Sequence, residues 1–268
     1  MITKIITPEV ELADLLEINK QMLEKEGIIY LPDMRCLTTR EIYTSFFNDG
    51  ETCGNNLILL FTKELYPFVS SSQYRAQMRL LYDQLPIFKG LLPLLDEVLF
   101  NFFTHRFNVA YVALLPVVEG LLLRWANRKK DTQDFKIRDF IDSKRKEILE
   151  KHLNDMWCKH NFELLKFIIC DFLFKHSDKQ SIETMFNRNV MMHLLNDPNT
   201  PVSHKNCMRL LTIIDLIANC YLYDHPLEGG KIGNTSCYKY QEQTQEKLKQ
   251  ISIMYNLIER TTPLPKSN

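Results

Sequence analysis

Glycine is scarce in this chain, with eight residues in 268, and tryptophan scarcer still with two. Few runs alternate polar with apolar residues or string β-branched residues together, which excludes the turn-rich, period-two pattern of a β sandwich or barrel. Net charge is also missing. Lysine plus arginine number 33 and aspartate plus glutamate 33, so there is no global basic field of the kind that holds a protein on nucleic acid regardless of sequence. Any nucleic-acid contact must be local. The seven cysteines, at 36, 53, 158, 170, 207, 220 and 237, include no Cys-x-x-Cys pair and no Cys and His grouping at zinc spacing. Their odd number suits reduced, packed thiols in a cytosol better than a disulfide framework.

Long apolar segments are lacking too. Met1 to Thr7 leads straight into Pro8-Glu9-Val10-Glu11, without the apolar region and cleavage site of a signal peptide. The longest apolar run, Ala110 to Leu123, is short for a membrane span and holds Pro116 and Glu119, so it is read as a core helix. The expectation is a soluble, cytoplasmic, globular protein with no membrane contact; its 45% hydrophobic content supports a buried core.

What is present is helical periodicity, and the fold class expected is all-α, a multi-helix bundle with additional N-terminal helices. Residues 1–70 form an N-terminal helical region without an assigned role, 71–225 the bundle, and 226–268 a C-terminal helix and tail. The first helix starts at Thr7 with Pro8 in its first turn, buries Leu12, Leu15, Leu16, Met22 and Leu23, and stops near Gly27. Shorter pieces follow, and Ser70-Ser71-Ser72 reads as a joint. From Gln73 to about His105 two helices are expected to pack as a hairpin. Phe107 to about Asn127 is apolar on almost every face, the mark of a helix in the middle of a bundle, with a kink expected at Pro116. The basic stretch from Arg128 to Lys146, interspersed with Asp131, Asp134, Asp139 and Asp142, reads as a connection and a solvated surface helix in preference to an RNA groove. Trp157 to Lys175 is again core. A helix from about Ser203 to Tyr223 carries Cys207, Leu210, Leu211, Ile214, Ile217, Ala218 and Tyr221 as one apolar face, and a last helix runs from about Gln241 to Ile258.

The chemistry-bearing segment is Asn187-Arg188-Asn189-Val190-Met191-Met192-His193. If Arg188 opens a helix, Asn189 and His193 share a face, and the long Arg188 side chain reaches the same space. An arginine followed by a histidine at this spacing arises roughly once by chance in a chain of this composition, so context decides. The plain alternative for His193 is a histidine filling a core edge among Met191, Met192, Leu194 and Leu195. Against that, Asn196-Asp197-Pro198-Asn199-Thr200-Pro201 ends the helix a turn later and leaves that end near solvent. Glu119 has only Leu115, Pro116, Leu122 and Leu123 at neighbouring helical positions. A buried carboxylate there needs a cation from another helix, Arg188 being the candidate, unless it faces a gap or bonds backbone.

Together, Pro116-Val117-Val118-Glu119-Gly120 followed by Asn187-Arg188 and His193 resembles the HEPN superfamily of helical bundles, over roughly residues 75 to 225. It looks most like the bacterial defence and toxin groups, in which a Pro-x-x-Glu-Gly helix precedes an Asn-Arg-x-x-x-x-His helix. The resemblance implies an up-and-down bundle and a metal-independent RNA endonuclease without a cofactor. Its site residues would be Arg188, His193, Asn189 and Glu119, completed by pairing into a homodimer with a composite site, under the control of an antitoxin or another regulatory protein. Leu194 departs from the glycine that often follows the histidine. The other class of function left open is a non-catalytic HEPN-like module that binds RNA or a protein, with Arg188 and Glu119 as a structural pair.

Overall fold

The structure, a computed structural model, describes residues 66–127, 136–153, 155–173, 202–227 and 242–261, together with single positions between 16 and 29. Among the described residues every regular element is a helix, in agreement with the all-α reading. Helix α1 (Ser72–Gln84) begins where the Ser71 hydroxyl accepts from the Tyr74 N–H at 3.2 Å, so the serine joint is a helix cap. It ends ahead of Pro86, which opens a short 3-10 turn, Pro86–Phe88. Helices α2 (Leu92–Phe103) and α3 (Phe107–Trp125) follow, separated by a turn in which His105 adopts φ +59°. Asn127, at φ +51°, takes up the left-handed conformation just past α3 that asparagine tolerates better than most side chains. Next come α4 (Ile137–Lys151) and α5 (Met156–Lys166), the latter capped by the Asp155 carboxylate, which accepts from the Trp157 and Cys158 N–H groups. A π-helical stretch, Phe167–Leu173, extends α5. Then α6 (His204–Asp224), capped by Ser203, and α7 (Glu242–Thr261) complete the described elements.

The core is built around α3 and α6, which pack on each other. They run parallel: Cys207 Sγ donates to the Phe107 carbonyl at one end, and Trp125 Nε1 donates to Asp224 at the other. The sequence pattern assigned α6 a single apolar face, yet Met208, Thr212, Ile213, Asp215, Leu216 and Cys220 are buried as well. The helix is enclosed on nearly all sides, because α3 and α5 pack on it, Arg75 and Tyr82 reach it from α1, and its own Arg209 bonds outward to the Leu23 carbonyl. For α3 the correction runs the other way. It buries Ala110, Tyr111, Leu114, Leu115, Val117, Val118, Leu121, Leu122 and Trp125, but Val109 and Val112 stand 54% and 53% exposed. The helix therefore has one open face, and it runs unbroken through Pro116, which lies on that exposed side. By length and composition α3 could cross a membrane; in this fold it is packed between α2 and α6.

The expected α1–α2 hairpin does not form as a close backbone pair. Helix α7 packs on both instead, with Tyr255 buried and stacked on Phe103 at 5.1 Å. Side chains still tie α1 to α2, through the paired bonds of Arg79 Nε and Nη2 to Asp96 at 2.6 and 2.9 Å. On α4 only Ile141 and Ile148 are buried, as a surface helix requires. Its bases are matched with acids: Lys144 with Asp224 and Glu147, Arg145 with Glu163. From the N-terminal region, Leu23 and Ile29 lie fully buried in the common core, and Arg209 Nε donates to the Leu23 carbonyl at 3.0 Å.

Candidate functional site

Of the four site residues expected from sequence, Arg188, Asn189 and His193 lie outside the described residues, and Glu119 lies within them. Glu119 is half-buried, directly after the fully enclosed Val118. Of the settings left open for this carboxylate, the structure shows a partly exposed one. Because α3 has an open face, its acid sits at the edge of a stripe formed by Val109, Val112 and Pro116 and reaches water.

The chain re-enters the described fold at Val202, whose N–H donates to Asn108 Oδ1 at 2.9 Å. This fixes the re-entry point beside the first turn of α3. Two residues on, His204 opens α6 with its ring among Phe102, Phe107 and Tyr66, at centroid distances of 4.6, 5.4 and 5.4 Å. The Tyr66 hydroxyl hydrogen-bonds to His204 Nδ1. Burial, then the neighbouring His105, lowers the His204 pKa to about 4, so the ring is neutral at physiological pH. A histidine directly after a cap serine carries no pattern of its own, which is why sequence reasoning passed over it.

A second polar group lies inside the bundle. Arg75 and Asp215, with side chains 1% and 0% exposed, form an ion pair at 2.9 Å. Arg75 Nε also donates to the Val69 carbonyl at 2.6 Å, and the Tyr82 hydroxyl donates to Asp215 Oδ1. Burial pushes the Asp215 carboxyl up, with Arg75 and Tyr82 pulling against it, while Asp215 holds the Arg75 guanidinium above its ordinary value in spite of its burial. The signal for this pair was visible in sequence as a single acid inside the apolar run Leu210 to Ala218. Its enclosure makes it a structural clamp between α1 and α6. A third buried group joins the N-terminal region to α5, where Asn19 Nδ2 donates to His160 Nε2 at 2.9 Å. Burial lowers the His160 pKa to about 4.

Compared with family models, curated proteins and solved structures, the chain matches none. The likeness to HEPN proteins therefore rests on the residues quoted for it.

Proposed function

We propose that this chain is a metal-independent RNA endonuclease of the HEPN type, acting in the cytoplasm in anti-phage defence or as the toxin of a toxin–antitoxin pair. The observation that carries the reading is a pairing of motifs. Pro116-Val117-Val118-Glu119-Gly120 lies on a central helix of an all-helical fold, and Asn187-Arg188-Asn189 to His193 follows in chain order.

The proposed chemistry follows from what each side chain can do. Cleavage requires a base for the 2′-hydroxyl, an acid for the leaving 5′-oxygen, and cations against the phosphate. His193 suits one proton transfer, because a histidine ordinarily exchanges its proton near neutrality. Arg188 clamps the scissile phosphate and offsets charge gathering on its oxygens, with a planar fork that lysine lacks. Asn189 orients the imidazole or the phosphate, and Glu119 holds Arg188 in place. These roles call for no metal. One chain brings a single motif histidine, so the second proton carrier comes from a second copy, in a homodimer with a shared cleft. Attack by the 2′-hydroxyl restricts the substrate to RNA and leaves 2′,3′-cyclic phosphate ends.

The test is incubation of purified wild type, Arg188→Ala and His193→Ala with total RNA in excess EDTA, followed by analysis of the fragment ends. Wild-type cleavage to cyclic phosphates, lost in both variants, is expected. Equal cutting by all three, or wild-type cutting that EDTA abolishes, would sink the acid-base site. Three folded but silent proteins would move the reading to a non-catalytic module that binds RNA or a protein.

A further inference from the structure

The N-terminal region meets the bundle through a polar pair set in an apolar seam. Leu16, Asn19 and Leu23 lie on helical backbone at three- and four-residue steps and so share one face. Leu16 packs against the core, and Asn19 and Leu23 are fully buried. At the middle of this face Asn19 Nδ2 donates to His160 Nε2 of α5, a ring 1% exposed whose Nδ1 has no hydrogen-bond partner among the described residues. A buried amide in an apolar seam fixes register and direction, and it does so at a cost in stability. The segment is therefore docked in one way, and held less firmly than an all-apolar seam would hold it.

We infer that this N-terminal helical segment is an acid-released strap, which leaves α5 as a unit while the bundle stays folded, and that protonation of His160 drives the release. An imidazolium carries a proton on both nitrogens, so Nε2 can no longer accept from Asn19. Turning the Asn19 amide to offer its oxygen would restore the bond without solvating the charge. The charged groups that the surrounding elements bring to this contact give no relief. Lys20 of the strap lies over the Phe167 ring at 5.0 Å, and Arg209 of α6 bonds the Leu23 carbonyl; both are cations. On the strap Glu17 is exposed, and on α5 Lys159 is exposed while Glu163 is engaged by Arg145 and Lys166 by Asp142. A proton on His160 is thus a buried charge without an acid beside it.

Release breaks three ties together: Asn19 to His160, Arg209 to the Leu23 carbonyl, and Lys20 to the Phe167 ring. It leaves α6 its contacts through Asp215 and Asp224, which is why the bundle can outlast it. The sides of α5 and α6 that the strap touches then meet water. The strap rests on these contacts and not on the motif, so it stands whether or not the chain cuts RNA; amide protection reads the one and fragment ends the other.

The experiment is amide hydrogen exchange of the full chain between pH 5 and 7.5, with protection corrected for the intrinsic rate at each pH and compared between Asn19, Lys20 and Leu23 of the strap and Leu216 of α6. At pH 7.5 the strap amides are expected to be about tenfold or more less protected than Leu216. A ring that titrates at about 4 when buried and at 6.5 when free makes the strap open about thirtyfold more often at pH 5. His160→Gln accepts from Asn19 but does not titrate, and should hold strap protection within about threefold over the same range. Asn19→Leu with His160→Leu should protect the strap at least as well as wild type at pH 7.5, and without acid sensitivity. Equal protection of strap and Leu216 in wild type overturns the proposal, because the segment would then open only with the whole bundle. An acid-induced loss that persists in both variants overturns it too, since the release would not begin at His160.

Discussion

Replacing Asp215 by alanine strips the Arg75 guanidinium of the one acidic partner it has among the described residues, in a place water does not reach. Both side chains are at most 1% exposed. After the change, Arg75 keeps the Val69 carbonyl, and the Tyr82 hydroxyl loses the acceptor it holds in the native fold. Breaking a buried ion pair by removing one member costs about 3–5 kcal/mol, since the remaining charge stays desolvated. The orphaned hydroxyl adds about 1–2 kcal/mol. Folded domains commonly hold 5–15 kcal/mol in all, so Asp215→Ala should leave the bundle marginal, with a Tm lowered by roughly 10 °C or more. Arg75→Met combined with Asp215→Leu replaces the pair by apolar side chains of similar bulk, and should recover all but about 2 kcal/mol, the residue of the Tyr82 hydroxyl. Urea unfolding followed by far-ultraviolet circular dichroism reads both variants. A loss below about 1 kcal/mol for Asp215→Ala would refute the reasoning, because it would mean that the charge left behind is solvated. So would a double variant as unstable as the single one.

Acid should weaken the fold well before its carboxylates titrate. His160 keeps a pKa of about 4 against an ordinary 6.5, so its full contribution is present above about pH 6.5. As pH falls toward 4 the unfolded chain takes up a proton that the folded ring refuses, and up to about 3 kcal/mol is lost; His204 acts in the same direction. Urea midpoints between pH 4.5 and 7.5 should fall with acid, and fall less in His160→Gln; identical slopes would rule out this origin. At the far end of α6, Asp224 accepts from Trp125 Nε1 at 2.8 Å and pairs with Lys144 at 2.9 Å. Asp224→Ala should cost about 1–3 kcal/mol, and a chemical-denaturation midpoint unmoved by it would show that neither bond matters. Tyr66→Phe removes the hydroxyl that fixes the His204 ring. It should lower stability by about 1 kcal/mol and broaden the His204 imidazole resonances, whereas sharp resonances at unchanged positions would mean that the aromatic box alone orients the ring.

The long apolar helices α3 and α6, and the apolar stretch that became α5 and its π-helical extension, were legible because burial writes itself into sequence as periodicity. Their environments were less so. Around Val109, Val112 and Pro116 the open face of α3 is as apolar as its buried one, so the local pattern could not say which side met water. The α1–α2 hairpin was expected from adjacency alone, and α7, far along the chain, packs on both helices. Asp215 stood out as an acid among aliphatic residues, but its partner lies 140 residues away, a distance no local pattern spans. For the site, sequence supplied a motif and Glu119. The half-buried setting of Glu119, and the neutral His204 beside Tyr66, came only from the packing of helices whose order along the chain does not announce their contacts.

The Arg75–Asp215 clamp has a consequence for biosynthesis. Its two members are made 140 residues apart, and at ribosomal speeds of about 5–20 residues per second the arginine waits roughly 7 to 28 seconds for its acid. During that interval the guanidinium has water and the nearby Val69 carbonyl but no acid, and burying its charge without one is costly, which holds α1 away from a premature apolar collapse. The core around α1 can seal only when α6 has left the ribosome, so the clamp makes synthesis through Asp215 a condition for closing it.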